Sequence, residues 1–107
     1  MPLSGDLRAV DVLLTGACTI VVEIVTRLAD VQALIRAAQL KQRDIKADRL
    51  VIVVAATHAN RRALEIARPS LASAFELNRY RVMQELAAGR DPGRDAIILL
   101  SYIRDRK

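Results

Sequence analysis

Apolar residues dominate positions 7–14 (Leu-Arg-Ala-Val-Asp-Val-Leu-Leu), and Thr15-Gly16 ends the run with a turn signal. Positions 18–25 (Cys-Thr-Ile-Val-Val-Glu-Ile-Val) form a stronger β-branched run. The short gap between the two predicts a β-hairpin. Val10, Val12 and Leu14 alternate with Leu7, Ala9 and Leu13, so both faces of the first strand are apolar. A sheet covered on both faces has that pattern.

The period changes over positions 27–43. Leu28, Val31, Ile35 and Ala38, with Leu34 beside them, recur at spacings of three and four and mark one face of an amphipathic helix. Arg36 and Asp44 fall away from that stripe. After a polar connection over 44–48, positions 50–56 (Leu-Val-Ile-Val-Val-Ala-Ala) read as a buried strand. Strand, helix and strand make a right-handed crossover, so these two strands are expected to be parallel. Asn60 is the expected cap of a short helix through Ala67, with Pro69 as its stop. Positions 70–75 carry no decisive pattern. Asn78 is the expected cap of a further helix carrying Val82, Met83 and Leu86, and Gly89 suits its C-terminal end. Asp91-Pro92-Gly93 is a turn, and positions 96–103 (Ala-Ile-Ile-Leu-Leu-Ser-Tyr-Ile) form the last strand. The predicted order is β-β-α-β-α-α-β. This is an α/β fold with helices packed on a mixed sheet of about four strands, built from a β-hairpin followed by βαβ crossovers.

Composition narrows the class. The chain has 107 residues, 52% of them hydrophobic and 27% charged, a globular profile of single-domain size with its core over about 5–103. Phe75, Tyr80 and Tyr102 are the only aromatics, so aliphatic residues must build the core. No run free of charge exceeds the eleven residues of 12–22, whereas a membrane helix needs about 20 apolar residues, so no membrane span is expected. No basic segment followed by an apolar one marks a secretory signal near Met1, and Cys18 has no second cysteine to bridge. The expected setting is the cytoplasm. No glycine-rich loop follows a strand, so a nucleotide cofactor is not expected.

Charge adds a possible partner. Seventeen basic residues face 12 acidic ones, and fourteen of the basic residues are arginine. Residues 55–107 carry ten basic and six acidic side chains. An arginine-rich surface suits phosphate, and with so few aromatics the contact expected is duplex DNA backbone rather than stacked bases. Arg61 with Arg62, and Arg79 with Arg81, are the candidate phosphate-facing residues. Each pair also reads as part of a solvated helix face.

The sharpest chemical feature is a pair of acids inside apolar strands. Asp11 lies between Val10 and Val12, and Glu23 between Val22 and Ile24. A carboxylate in such a strand is costly unless paired, hydrogen-bonded or metal-bound. An odd number of loop residues puts both acids on one face. A three-residue loop sets Asp11 opposite Val21 and diagonal to Glu23, close enough for both to hold one hard cation. An even loop separates them. Arg8 and Arg27 are alternative, purely structural partners. Lys41 lies at the border of the helical stripe, where its methylenes can pack and its ammonium can reach along the sheet toward the acids, although the plainer reading is a surface lysine. His58 is the only histidine, which excludes a multi-histidine metal site within one chain.

An acid at the end of one hairpin strand, an acid in the next, then a helix and a parallel strand resembles the core of the PD-(D/E)XK, restriction-endonuclease-like fold. Several segments are similar to the nuclease-like domain found C-terminal to helix-turn-helix in many bacterial transcriptional regulators. They are Gly5-Asp6-Leu7-Arg8-Ala9-Val10-Asp11, Glu23 with Thr26-Arg27-Leu28-Ala29-Asp30-Val31-Gln32, Leu40-Lys41-Gln42-Arg43-Asp44, and Ala88-Gly89-Arg90-Asp91-Pro92-Gly93-Arg94-Asp95-Ala96-Ile97. The resemblance covers roughly residues 5–100. It implies a restriction-endonuclease-like fold and, in active members, two acids holding Mg²⁺ with a lysine two residues after the second acid. Asp11 and Glu23 take the metal-binding and catalytic acid positions. Val10 stands where the motif has proline, Val25 stands where it has lysine, and Lys41 is the lysine that migration to the following helix would supply.

The 107 residues leave no room for a helix-turn-helix, and the first helix and strand of the nuclease core have no counterpart ahead of the hairpin. The expectation is a stand-alone relic, a truncated product or one piece of a larger assembly, with its open edge covered by a second copy or a partner chain. Three functions follow. The first is a non-catalytic nuclease-like domain in DNA-linked regulation, acting through DNA-backbone or protein contact and needing no cofactor. The second is a Mg²⁺-dependent nuclease using Asp11, Glu23 and Lys41. The third is a structural dimerisation or association domain.

Overall fold

Three aliphatic runs set the sheet: β2 (Ile20–Val25), β3 (Arg49–Ala55) and β4 (Ala96–Leu100). A computed structural model describes residues 12–14, 16 and 18–101. β2, β3 and β4 lie side by side and parallel, with Val22 beside Val51 and Val53 beside Ile98. The short β1 (Val12–Leu14) pairs antiparallel along the other side of β2, with Val12 opposite Val22 and Leu14 opposite Ile20. Residues 7–11 of the expected first strand lie outside the described residues.

Helix α1 (Val31–Ile45) joins β2 to β3. It begins later than its apolar stripe predicts because Asp30 is extended, and its carboxylate accepts from the Ala33 N–H at 3.0 Å. It also runs further, through Asp44 to Ile45. Lys46 then ends it in the left-handed region (φ 62°), and the Lys46 and Ala47 N–H groups donate to Arg43 and Gln42 carbonyls.

Helix α2 (His58–Leu71) departs from expectation at both ends. Thr57, not Asn60, caps it, and its hydroxyl accepts from the Asn60 N–H at 3.1 Å. Pro69 lies inside the helix rather than stopping it at Ala67. Proline removes one N–H and crowds the carbonyl four residues back. In the last turn that loss touches a single bond, and Ala72 and Phe75 still donate to Arg68 and Leu71. Helix α3 (Arg79–Ala87) starts where Asn78 predicts, with the Asn78 side chain accepting from Tyr80 and Arg81 N–H groups. Gly89 follows it with φ 72°.

Alternation along the strands makes two cores. Val21, Leu50, Ile52, Val54 and Ile97 face α1 and α2, meeting Ile35, Ala38, Leu71 and Phe75. Ile20, Val22, Val51, Val53, Ala96 and Ile98 face the opposite way and meet Val82 of α3. The chain passes from the α2 face to the α3 face around the outer edge of β4. There the Glu76 N–H donates to the Asp95 carbonyl at 2.7 Å and the Ile97 N–H to the Glu76 carbonyl at 3.1 Å. No helix among the described residues is long and apolar enough to cross a membrane.

Candidate functional site

Glu23 is the one acid inside a described strand, and it is 8% exposed. Strand alternation puts it on the same face as Val21 and Val25, beneath α1. One helical turn past buried Ala38, Lys41 emerges on the same side of α1. Its Nζ lies 3.8 Å from Glu23 Oε2, with the two side chains 26% and 10% exposed. Of the two readings of this border position, a plain surface lysine and one that reaches the acid, the contact is the one observed. The aliphatic stem follows the sheet and the ammonium meets the acid. Val25 packs at the margin of the α1-face core, so its side chain belongs to packing.

Asp11 lies outside the described residues. The neighbouring register corrects one expectation. Val21 pairs with Leu13, so Asp11 is not its partner, and the loop is not three residues long. Five residues, 15–19, separate the paired Leu14 and Ile20. Five is odd, the parity that the two-acid arrangement requires. Among the described residues, no three His, Cys, Asp or Glu side chains converge as a metal-ligand group.

The four candidate arginines do not form one surface. Arg61 and Arg62 are exposed in the first turns of α2, near the C-terminal ends of the strands. Arg79 and Arg81 belong to α3, on the opposite face of the sheet. Arg79 donates to the Leu99 carbonyl at 3.3 Å and to the Tyr80 hydroxyl at 3.0 Å, and its guanidinium sits 4.9 Å from the Tyr80 ring centre. Arg81 donates to the Pro92 carbonyl at 3.2 Å and lies 3.6 Å from Glu76. Both side chains are thus engaged in holding α3 to its surroundings. His58 is exposed at the first position of α2.

A residue whose sequence signal was that of a helix cap organises the C-terminal ends of β2 and β3. Asn60 is 2% exposed. Its Nδ2 donates to the Thr26 carbonyl at 3.1 Å and the Ala55 carbonyl at 2.9 Å, and its Oδ1 accepts from the Leu28 N–H at 3.0 Å. The amide supplies both donors and the acceptor that this junction needs. It holds the segment carrying exposed Arg27 against the start of α2.

Acids tie the opposite ends of the strands. Asp48 accepts from the Thr19 N–H at 2.8 Å and Asp95 from the Leu50 N–H at 3.0 Å. Arg49 makes a two-point contact with Asp91, at 2.8 and 3.2 Å. The Gly93 N–H and then Arg49 hold the Asp91 carboxyl below the usual carboxylate range. Burial, with the Asp91 and Asp48 charges, pushes the Cys18 thiol up. A raised thiol pKa makes Cys18 a poor nucleophile at neutral pH.

Comparison with family models, with curated proteins and with solved structures found no match to this chain.

Proposed function

We propose that this chain is a non-catalytic, restriction-endonuclease-like domain of a DNA-linked regulatory protein, acting through surface contact rather than hydrolysis. The observation that supports it is the Glu23–Lys41 pair. A hydrolytic acid must meet both a cation and a scissile phosphate. Glu23 instead sits beneath α1 with its side chain 10% exposed, and a lysine ammonium is already beside it. An ammonium at that distance offsets the charge a hard cation would use. The pair thus resolves the cost of an acid in an apolar strand without chemistry.

Contact with DNA would fall to arginines that the fold leaves unengaged. Arg61 and Arg62 have no hydrogen-bond or ion-pair partner among the described residues, and Arg27 is exposed at the same end of the sheet. Such groups recognise backbone phosphate without reading sequence. Duplex binding measured by fluorescence anisotropy tests this. The expected result is weak binding whose logarithm falls linearly with log salt, reduced by the double substitution R61E/R62E and unchanged by K41M. No duplex binding at about 50 mM salt would refute the DNA contact.

One observation favours a second reading, a Mg²⁺-dependent nuclease using Asp11, Glu23 and Lys41. The lysine reaches the second acid, and the odd loop length suits two acids on one face. In that case Asp11 and Glu23 would hold the cation, which would supply the activated water, and Lys41 would orient or deprotonate it. Plasmid cleavage lost in E23Q would establish that reading and overturn the first.

A further inference from the structure

A cleft of about 200 Å³ lies between α2 and the outer part of β4, on the sheet face away from α3. Leu64, Leu77, Ile97 and Leu99 are among its apolar walls, and Arg61, Glu65 and Arg68 contribute its charge. Neither Arg61 nor Arg68 has a side-chain partner among the described residues, so the rim carries two available cations against one acid.

The backbone beside the cleft is also incomplete. Within β4 the Leu100 carbonyl faces β3, where it accepts from the Ala56 N–H at 3.1 Å. Alternation turns Ile97 and Leu99 the other way. The Ile97 N–H is satisfied by Glu76 at 3.1 Å. One step further, the Leu99 carbonyl accepts from the Arg79 side chain at 3.3 Å, and the Leu99 N–H, on the same outer side of β4, makes no hydrogen bond outside the strand ladders among the described residues. Residue 76 thus begins a fifth line of pairing along β4, and the chain then leaves to start α3.

We propose that this cleft docks an extended segment of a partner protein in which an Asp or Glu lies two residues from an aliphatic side chain, so that both face the cleft. The segment takes up the pairing line where Glu76 leaves it. Its backbone carbonyl accepts from the Leu99 N–H, an aliphatic side chain enters between Leu64, Leu77 and Leu99, and a carboxylate meets Arg61 and Arg68. Edge-strand addition of this kind takes affinity from main-chain hydrogen bonds and specificity from the side-chain pocket. An acidic occupant also matches the net charge of +5 on this chain.

The test uses the full chain and a phage-displayed library of random octapeptides. Selection is expected to enrich peptides with an Asp or Glu two residues from an aliphatic residue. A synthetic copy of an enriched peptide should shift the Leu99 amide resonance in ¹⁵N-labelled protein. N-methylation of its central residues should weaken binding at least tenfold. R68E should weaken it to the same degree, and R62E, on the same helix outside the cleft, should leave it unchanged. No enrichment, enrichment of basic peptides, or binding insensitive to R68E would overturn the proposal. So would R68E and R62E weakening duplex DNA and peptide equally, because the cleft would then be one part of a general polyanion surface.

Discussion

Replacing Asn60 by alanine probes the junction that positions the C-terminal ends of β2 and β3. The side chain is 2% exposed and makes three hydrogen bonds, at 3.0, 3.1 and 2.9 Å, to three separate backbone groups. Each net hydrogen bond contributes about 1 kcal/mol, and a buried group left without a partner costs more than that average. N60A should therefore destabilise the fold by about 3 kcal/mol, a large share of the roughly 5–15 kcal/mol typical of a domain. For a chain of this size, that lowers Tm by on the order of 10–20 °C. Urea unfolding followed by circular dichroism gives the free energy, and hydrogen exchange should show faster exchange at the Leu28 amide, which loses its acceptor. N60D keeps an acceptor for Leu28 but sets a carboxylate against the Thr26 and Ala55 carbonyls. It should be at least as destabilising at neutral pH and recover partly in acid, where the carboxyl is protonated and donates again. A loss below about 0.5 kcal/mol for N60A, the size of an ordinary surface substitution, would refute the reasoning.

Three further outcomes follow from the charged contacts. K41M keeps the packed stem and removes the ammonium from Glu23. It should cost about 1–2 kcal/mol in urea unfolding, between the values for exposed and buried ion pairs, and more than E23Q, whose lysine partner can turn to solvent. Asp91 titrates below its ordinary value of 3.8 in the folded state, so its contribution is complete above about pH 4 and is lost as pH falls through the lower, folded value. R49A removes one cause of that depression. Stability curves of wild type and R49A should stay parallel above pH 4 and converge below it. Cys18, with its thiol pKa raised by burial and the nearby acids, should react with iodoacetamide at pH 7.5 more slowly than free cysteine, and a rate equal to the free amino acid's would contradict the packing around it.

The parts of the fold that repeat with a short period were legible in the chain. The β2–α1–β3 crossover follows from a β-branched run, a three-and-four stripe and a second apolar run, and the two strands are parallel. The approach of Lys41 to Glu23 was one of two readings that the same stripe left open, the other being a surface lysine. A lysine one turn beyond Ala38 faces whatever the stripe covers. Element ends were less so. Pro69 looks like a stop, but in a last turn it removes only one bond. Asp30 and Thr57 outcompete the local pattern because their side chains satisfy free N–H groups. Asn60 resembles a helix cap in sequence, yet its contacts reach residues 26, 28 and 55, and the first two are more than 30 positions away. The placement of α2 and α3 on opposite faces, which separates Arg61 and Arg62 from Arg79 and Arg81, depends on the turn around β4 at Glu76, and no periodicity encodes it.

The state of the Glu23–Lys41 pair decides between a surface-acting domain and a nuclease. Calorimetric titration of the full chain with Mg²⁺ and with Mn²⁺, with E23Q as control and plasmid cleavage scored on the same samples, tests it most directly. A surface-acting domain gives no saturable heat that depends on Glu23 and leaves supercoiled plasmid intact. Stoichiometric metal binding abolished by E23Q, together with cleavage, would contradict it and assign the acid to catalysis.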